Sequence, residues 1–195
     1  MYRIAEILRK TLETNIRMSF AIDGSGKNNI HTGIGFFDHM LQGFTRHGLF
    51  DMDLMVKGDL NVDMHHTVED TGIVLGNAIM NALGDKSGIT RYGSMILPMD
   101  ETLMLCAIDL CNRPYFSFEC DFQTEKIGDF ETELIREFFY AVSYSAKMNL
   151  HIKQLSGSNS HHVAEAMFKA FAKALDQATQ KDERIKEVLS TKGTL

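Results

Sequence analysis

The chain has 195 residues, of which 44% are hydrophobic, and its formal net charge is −6 at pH 7. This length suffices for one large domain or for two small fused halves with a substantial core. The acidic balance argues against a general nucleic-acid-binding surface. No apolar run approaches the roughly 18 residues that a membrane span needs, so we expect neither a nucleic-acid nor a membrane partner.

The N-terminal segment and the cysteines indicate a reducing compartment. The first six residues are charged and lack the apolar core of a signal peptide. Cys106, Cys111 and Cys120 are odd in number and have no zinc-site spacing. We therefore expect a cytoplasmic protein in which these cysteines are reduced, small core residues.

Strand and helix patterns alternate along the chain. Alternating apolar residues predict strands over 16–22, 50–57, 101–110, 115–122 and 150–154. Helical periodicity predicts helices from about 33 to 47, and over 72–83, 131–147 and 166–178. Turn residues occupy 23–29 and 112–114, a polar connection covers 84–93, and 181–195 is a charged tail. Asp38 is interpreted as a helix N-cap or as a carboxylate that orients a histidine.

One five-residue pattern, His-His-x-x-Glu, occurs twice. The first pentad runs from His65 to Glu69, and the second from His161 to Glu165, 96 residues later (161 − 65 = 96). Glu13-Thr14 is likewise repeated as Glu101-Thr102. Each half reads strands, helix, strand, helix, which predicts an internally duplicated, pseudo-two-fold α/β protein. The halves would cover about 1–93 and 94–180 of one catalytic unit, followed by the tail 181–195.

The pentads predict metal binding. On a helix, the first histidine and the glutamate of a pentad share a face, whereas the second histidine points about 100° away. Each pentad can therefore contribute to two ions. Imidazole and carboxylate ligands suit manganese, iron, cobalt, nickel or zinc. Alternatively, each pentad is an exposed, histidine-rich helix start that binds no metal. The repetition of the pentad argues against this alternative.

The register of the duplication adds one further ligand to each site. His39 precedes its pentad by 26 residues (65 − 39) and Glu137 precedes its own by 24 (161 − 137). We hypothesise two sites with four ligands each, and whether they form within or between chains stays open. The ligand sets are His65, Glu69, His162 and Glu137 for one ion, and His161, Glu165, His66 and His39 for the other. His47 and His151 are interpreted as supporting or core residues.

Two other functions fit a paired-metal protein. A dinuclear metallohydrolase would use the same ligand types, although His-His-x-x-Glu differs from the zinc-protease pattern His-Glu-x-x-His. A metal-storage or scaffold protein would need no anion-binding residues. A hydrolase would catalyse hydrolysis and no elimination, whereas a storage or scaffold protein would bind metal without catalysing a reaction.

Several motifs in the chain resemble the imidazoleglycerol-phosphate dehydratase family. The matching segments are Asp38-His39-Met40-Leu41, His47-Gly48-Leu49-Phe50-Asp51, both pentads, Asn112-Arg113-Pro114 and Phe168-Lys169-Ala170-Phe171. The resemblance implies a duplicated α/β fold whose helices pack between two sheets. It also implies two Mn(II) ions per active site at subunit interfaces of a 24-subunit homo-oligomer, with other divalent transition metals possible. Many members have histidine at the position of Glu137.

The resemblance further implies a reaction. The family converts imidazole glycerol phosphate to imidazole acetol phosphate and water in histidine biosynthesis, through an imidazolate stabilised by the two metals. By resemblance, Glu13 is the general acid and base. The implied phosphate contacts are Arg91, Arg113, Lys169, Ser190 and Lys192, so the tail would close over the phosphate. No additional phosphatase domain is present in the sequence, which predicts a monofunctional enzyme.

Overall fold

The computed structural model describes residues 3–195 as a mixture of strands and four helices. The helices are α1 (Gly35–Gly48), α2 (His65–Leu83), α3 (Glu133–Ser145) and α4 (Ser160–Thr179). The strands are β1 (Ile4–Lys10), β2 (Thr14–Ala21), β3 (Asn28–His31), β4 (Asp51–Gly58), β5 (Tyr92–Met99), β6 (Thr102–Asp109), β7 (Tyr115–Glu119), β8 (Lys126–Ile127), β9 (Phe130–Glu131) and β10 (Asn149–Ser156). Within 3–195, no helix is long and apolar enough to cross a membrane.

The strands form two four-stranded sheets with the same topology. The first sheet has the order β1-β2-β4-β3 and the second has β5-β6-β10-β7. In each sheet the last pair, β3 with β4 or β7 with β10, is parallel, while the other pairs are antiparallel. The internal duplication predicted from the sequence is therefore visible in the strand order. The short β8-β9 hairpin belongs to the second half alone in the described chain.

The helices pack between the sheets, across the two halves. Helix α2 contacts β1, β2 and β4 and packs along α3, whereas α4 contacts β5 and β6 and packs along α1. Two glycines permit the close approach of α2 and α3. A Cβ on Gly72 would lie 2.7 Å from the Phe138 carbonyl oxygen, and one on Gly76 would lie 2.7 Å from that of Val142. This crossed packing brings each pentad helix against the helix of the other half.

An aromatic core ties the halves together. Phe44 of α1 and Phe171 of α4 are fully buried, and their rings stack with centroids 5.4 Å apart. Phe37 of α1 contacts Phe138 of α3 in an edge-to-face arrangement, with 5.2 Å between ring centroids. Burial of such large side chains is the main contribution to stability in a fold of this size.

The predicted elements are present, with differences at the sheet edges and helix starts. Helix α2 begins at His65, seven residues before the predicted start at 72 (72 − 65 = 7), so the first pentad lies within the helix. Strands β1, β3 and β5 were not predicted, and each lies at a sheet edge. Edge strands expose much of their surface, so they lack the apolar runs by which strands are predicted.

The prediction that Asp38 caps α1 is wrong. The helix begins at Gly35, and Asp38 lies within its first turn. Its Oδ1 accepts hydrogen bonds from the Thr32 backbone N–H at 2.8 Å and the Thr32 hydroxyl at 2.6 Å. Asp38 therefore fixes the loop that leads into α1. No hydrogen bond to a histidine is formed by Asp38 in the described structure.

The cysteines are reduced, and two are core residues as predicted. Cys106 and Cys111 are buried, whereas Cys120 is only partly buried. Burial raises the pKa of Cys106 and, together with Asp121, raises the pKa of Cys120 to about 12.

Candidate metal and substrate site

Each pentad lies in the first turns of its helix, where nearby side chains fix the backbone. The Asp63 carboxylate accepts a hydrogen bond from the His65 N–H at 2.8 Å. The Asn159 side chain accepts one from the His161 N–H at 2.9 Å. Such caps satisfy backbone donors that have no partner within the helix. The two rings of each histidine pair stand nearly perpendicular, at 85° in the first pentad and 89° in the second. Adjacent histidines thus face different surroundings.

Three predicted ligands come together at the crossing of α1 and α4. His39 Nε2 lies 3.6 Å from Glu165 Oε2, and His161 Nε2 lies 3.3 Å from the same oxygen. Within 3–195, this is the only group of three or more histidine, cysteine or acidic residues whose candidate ligand atoms all lie within 4.8 Å of one another. Three convergent ligand atoms leave coordination positions open for further ligands.

Lys169 contacts this three-residue group. Its Nζ lies 2.7 Å from Glu165 Oε1, on the same face of α4. Burial raises the pKa of the Glu165 carboxyl, but the hydrogen bond and charge of Lys169, with contributions from His39 and His161, outweigh it and lower the pKa overall. Glu165 is therefore held as a carboxylate, the form that binds metals. Lys169 lies here and not among the other predicted phosphate contacts.

The equivalent region of the first half, around His65 and Glu69 of α2, is more exposed to solvent. His65 Nε2 and Glu69 Oε2 are 4.0 Å apart on α2, with about two fifths of each side chain exposed. Glu137 is half-buried on α3, and its Oε1 lies 3.1 Å from Arg136 Nη1. Glu137 and His39 are each the fifth residue of their helix (137 − 133 = 39 − 35 = 4), as the duplication predicts. No histidine of the described chain lies within 4.0 Å of the Glu137 carboxylate.

His66 is held by two carboxylates outside its pentad. Its Nδ1 lies 3.0 Å from Asp59 Oδ2, and its Nε2 lies 3.6 Å from Glu13 Oε1. The Asp59 hydrogen bond, opposed by desolvation and supported by the charge of Glu13, raises the pKa of His66. Glu13 precedes β2, and about half of its side chain is exposed. A carboxylate on Nδ1 fixes the ring and leaves Nε2 for a ligand.

His162 has a similar arrangement with different partners. Its Nδ1 lies 2.8 Å from Glu101 Oε2, and its Nε2 lies 3.7 Å from Asp100 Oδ2. Glu101 Oε1 also accepts hydrogen bonds from the N–H groups of Asn159 at 2.9 Å and Ser158 at 3.3 Å. The His162 hydrogen bond and then the Asn159 amide lower the pKa of Glu101 to about 2.

Asp70 and Thr14 support the strand end that carries Glu13. The buried Asp70 carboxylate accepts hydrogen bonds from Arg9 Nη2 at 2.8 Å and from the Thr14 hydroxyl. Asp70 directly follows the first pentad, so helix α2 is tied to the first residue of β2. The second half has Ala166 at the equivalent position (70 + 96 = 166) and lacks this tie.

The two predicted four-ligand sets are not assembled within the described chain. Of the second set, the three-residue group contains His39, His161 and Glu165, while His66 lies with Asp59 and Glu13. The first set is divided in the same way, because His162 lies with Glu101 rather than with the His65–Glu69 pair. Within the described chain, the two histidines of each pentad therefore belong to two separate groups of side chains.

Four of the predicted phosphate contacts line one pocket of about 800 Å³. Arg91 is buried, and its Nε and Nη2 lie 2.7 and 3.0 Å from the two Asp109 oxygens. Its Nη1 donates to the Leu189 carbonyl oxygen at 2.7 Å. The Asp109 hydrogen bond raises the pKa of Arg91, and the two side chains form an ion pair in the wall. The four residues are Arg91, Arg113, Ser190 and Lys192.

The C-terminal tail forms the other wall of this pocket. The Gly88 N–H donates to the Glu187 carbonyl oxygen at 3.1 Å, and the Asp182 N–H donates to the Gly88 carbonyl oxygen at 3.0 Å. These bonds hold the tail across the connection between α2 and β5, which places Ser190 and Lys192 opposite Arg113. Backbone positions are thus set by pairs about 100 residues apart, which no local pattern predicts.

Sequence reasoning missed the partners of the second histidines and misjudged two other histidines. Asp59, Asp100 and Glu101 were not selected, although Glu101 was noticed as the repeat of Glu13. The core alternative for His47 and His151 is wrong, because both are exposed. His151 lies on β10 with its ring 5.4 Å from that of Tyr115. Although the His47 ring is exposed, its partial desolvation and then the charge of Lys169 lower its pKa.

Comparison with known proteins identifies the family. The family model described as imidazoleglycerol-phosphate dehydratase matches residues 32–175. The chain belongs to the imidazoleglycerol-phosphate dehydratase family. The family enzymes of Lachnoclostridium phytofermentans and Acetivibrio thermocellus are 63% and 60% identical over 195 residues, covering all of both chains.

Solved structures of the family share the fold. The Staphylococcus aureus enzyme has a TM-score of 0.84 at 40% identity, covering 92% of this chain and 99% of that one. The Pyrococcus furiosus enzyme, crystallised with (S)-C348, has a TM-score of 0.85 at 37% identity, covering 97% of this chain and 100% of that one. The predicted fold class, a duplicated α/β fold with helices between two sheets, is confirmed. Family membership places the chain among the lyases of histidine biosynthesis.

Proposed function

We propose that this chain removes water from imidazole glycerol phosphate to give imidazole acetol phosphate, using two divalent metal ions per active site. The single observation that carries this proposal is the convergence of His39, His161 and Glu165, supported by family membership. The fold alone does not establish an activity, because one fold hosts many activities.

The ligand chemistry fits divalent transition metals. The three-residue group offers two imidazole nitrogens and a carboxylate oxygen, a set suited to Mn(II) among other ions. His65 and Glu69 offer the same types of ligand atom, an imidazole nitrogen and a carboxylate oxygen, at the equivalent position of the first half. Metal ions held by these residues would supply positive charge that favours the deprotonated form of the substrate's imidazole ring. By the family resemblance we propose Mn(II).

Protein residues handle the remaining charge and the protons. The hydroxyl leaves from the carbon that bears the ring, and a proton is lost from the neighbouring carbon, giving an enol that becomes the ketone. Glu13 is exposed beside His66 and has room to accept and return a proton. Arg113, Lys192 and Ser190 would bind the phosphate through charged and hydroxyl donors, beside Arg91, whose charge is paired with Asp109.

We propose that a second copy of the chain completes each metal site. His66 and His162 each have Nδ1 bound to a carboxylate and Nε2 directed away from their own pentad's glutamate. Each Nε2 can therefore serve a site on a neighbouring subunit. Lys169, next to the three-residue group, would join a phosphate pocket in the same way. A closed homo-oligomer would bring these residues of neighbouring subunits together. The family resemblance indicates 24 subunits.

The proposal is tested by restoring metal to chelated protein. We expect chelation to abolish turnover of imidazole glycerol phosphate and Mn(II) to restore it, with two ions bound per chain. NMR spectroscopy of the product should show a ketone, and inorganic phosphate should not be released. Phosphate release without a ketone would indicate the hydrolase alternative, and metal binding without turnover would indicate storage. Full activity after verified metal removal would contradict the metal requirement.

A further inference from the structure

Lys86 is a buried lysine that the proposed chemistry does not use. It follows α2, and only 2% of its surface is exposed. Its Nζ donates to the Asn112 side-chain oxygen at 2.6 Å and to the Leu110 carbonyl oxygen at 3.3 Å. No carboxylate of the described chain lies within 4.0 Å of this ammonium group. Because burying a charge without a countercharge is costly, such a lysine calls for a specific explanation.

The partner of Lys86 belongs to the turn that presents Arg113. Asn112 precedes Arg113, and its amide Nδ2 donates to the main-chain oxygen of Leu195 at 3.1 Å. Asn112 therefore links the buried ammonium to the tail that carries Ser190 and Lys192. Asn149 holds the other side of the turn through the Arg113 carbonyl oxygen, at 2.5 Å.

The backbone around this link is in a conformation that non-glycine residues rarely adopt. Lys86, Arg91 and Asn112 have φ angles of 63°, 70° and 60°. This conformation is sterically unfavourable for an L-amino acid, and somewhat less so for asparagine. Desolvation also lowers the pKa of Lys86. The unfavourable backbone and the buried charge thus occur together beside the phosphate pocket.

We propose that Lys86 is a positioning residue for the substrate phosphate, acting through Asn112 on the Arg113 turn and on the tail. This inference rests on the proposed phosphate pocket. Lys86 does not line that pocket, so its role is to fix the groups that do. Its positive charge also lies behind the turn, where it favours a dianionic ligand.

The test compares Lys86→Met with Asn112→Ala and with their double variant in the holoenzyme. Methionine keeps the length of the side chain and removes the donor. Each single variant should raise KM and the inhibition constant of inorganic phosphate by about tenfold, with kcat within about twofold. The double variant should be no worse than Lys86→Met, because both changes break one link. Metal content should stay at the wild-type value. Lys57→Met, an exposed lysine on β4, is the matched control and should change nothing.

The outcomes separate this inference from the proposed pocket. Arg113→Ala is measured alongside, with the same phosphate inhibition assay. If Arg113→Ala weakens phosphate binding and the folded Lys86→Met and Asn112→Ala variants do not, the positioning role is wrong while the pocket stands. If Arg113→Ala also leaves phosphate binding unchanged, both are wrong. Should Lys86→Met fail to fold, the exposed Asn112→Ala decides the test alone.

Discussion

Glu13 and Glu101 occupy equivalent positions before β2 and β6, yet they face opposite nitrogens of equivalent histidines. Glu13 Oε1 lies 3.6 Å from Nε2 of His66, whereas Glu101 Oε2 lies 2.8 Å from Nδ1 of His162. In the first half, Asp59 occupies Nδ1 instead. Glu13 is therefore left beside the ring nitrogen that points to the proposed metal, and Glu101 is used for support. The duplicated halves have acquired different tasks.

Replacing Glu13 should separate catalysis from binding. Glu13→Gln keeps the shape of the side chain and removes proton exchange, so kcat should fall by at least about 10²-fold with KM nearly unchanged. Steady-state kinetics on the metal-loaded enzyme measure this. Glu6→Gln, on the exposed side of β1, serves as the control. A wild-type kcat would assign proton transfer to another group.

Replacing Glu101 should affect metal binding instead. Its carboxylate is bound by His162 and two backbone amides, and its pKa of about 2 makes it a weak base. Glu101→Ala frees the His162 ring, and we expect metal affinity to fall by roughly 10- to 100-fold. Titration calorimetry on chelated protein measures it, with the exposed Glu119→Ala as control. Unchanged affinity would show that the ring is oriented without Glu101.

Replacing Glu137 tests the predicted ligand set that contains it. If Glu137 is a ligand, Glu137→Ala should lose or strongly weaken one ion per chain, whereas Arg136→Ala next to it should keep both. Because oxygen ligands favour harder ions, the second carboxylate should also tilt the selectivity of that site toward Mn(II) relative to Zn(II). Metal analysis after equilibrium dialysis reports the stoichiometry. Two equally tight ions in Glu137→Ala would remove Glu137 from the site.

Chelation should reduce the size of the particle if metals join subunits. The two histidine rings of each pentad have different neighbours, and neither predicted four-ligand set is assembled within residues 3–195. Light scattering before and after chelation, with metal loss verified by elemental analysis, measures the mass. Adding Mn(II) back should restore the original mass. A constant mass would indicate that the interfaces hold without metal.

The cysteines should be unreactive in the native protein. A pKa of about 12 leaves Cys120 with a thiolate fraction on the order of 10⁻⁴ at pH 8. Cys106 and Cys111 are buried. A chromogenic disulfide reagent should therefore react with none of the three thiols at pH 8 and with all three in denaturant. Rapid reaction of one thiol in the native protein would indicate local opening around it.

The structure explains why some elements could be predicted and others could not. The helices and the strands that face the core have apolar residues at regular spacing, since a face that packs must be apolar along its length. Strands β1, β3 and β5 lie at edges and depend on pairing with β2, β4 and β6. Their position is decided by pairing with the neighbouring strand.

The sequence by itself determined the duplication, the divergence of the two histidines in each pentad and the choice of ligand residue types. These follow from helix geometry, which fixes directions over four residues. Only the tertiary structure decided that His39 joins His161 and Glu165, that Glu101 supports His162, and that Lys86 supports Asn112. Those contacts join residues 26 to 126 positions apart (112 − 86 = 26; 162 − 101 = 61; 165 − 39 = 126). Side-chain direction over such separations depends on how the layers pack, and local periodicity contains no information about it.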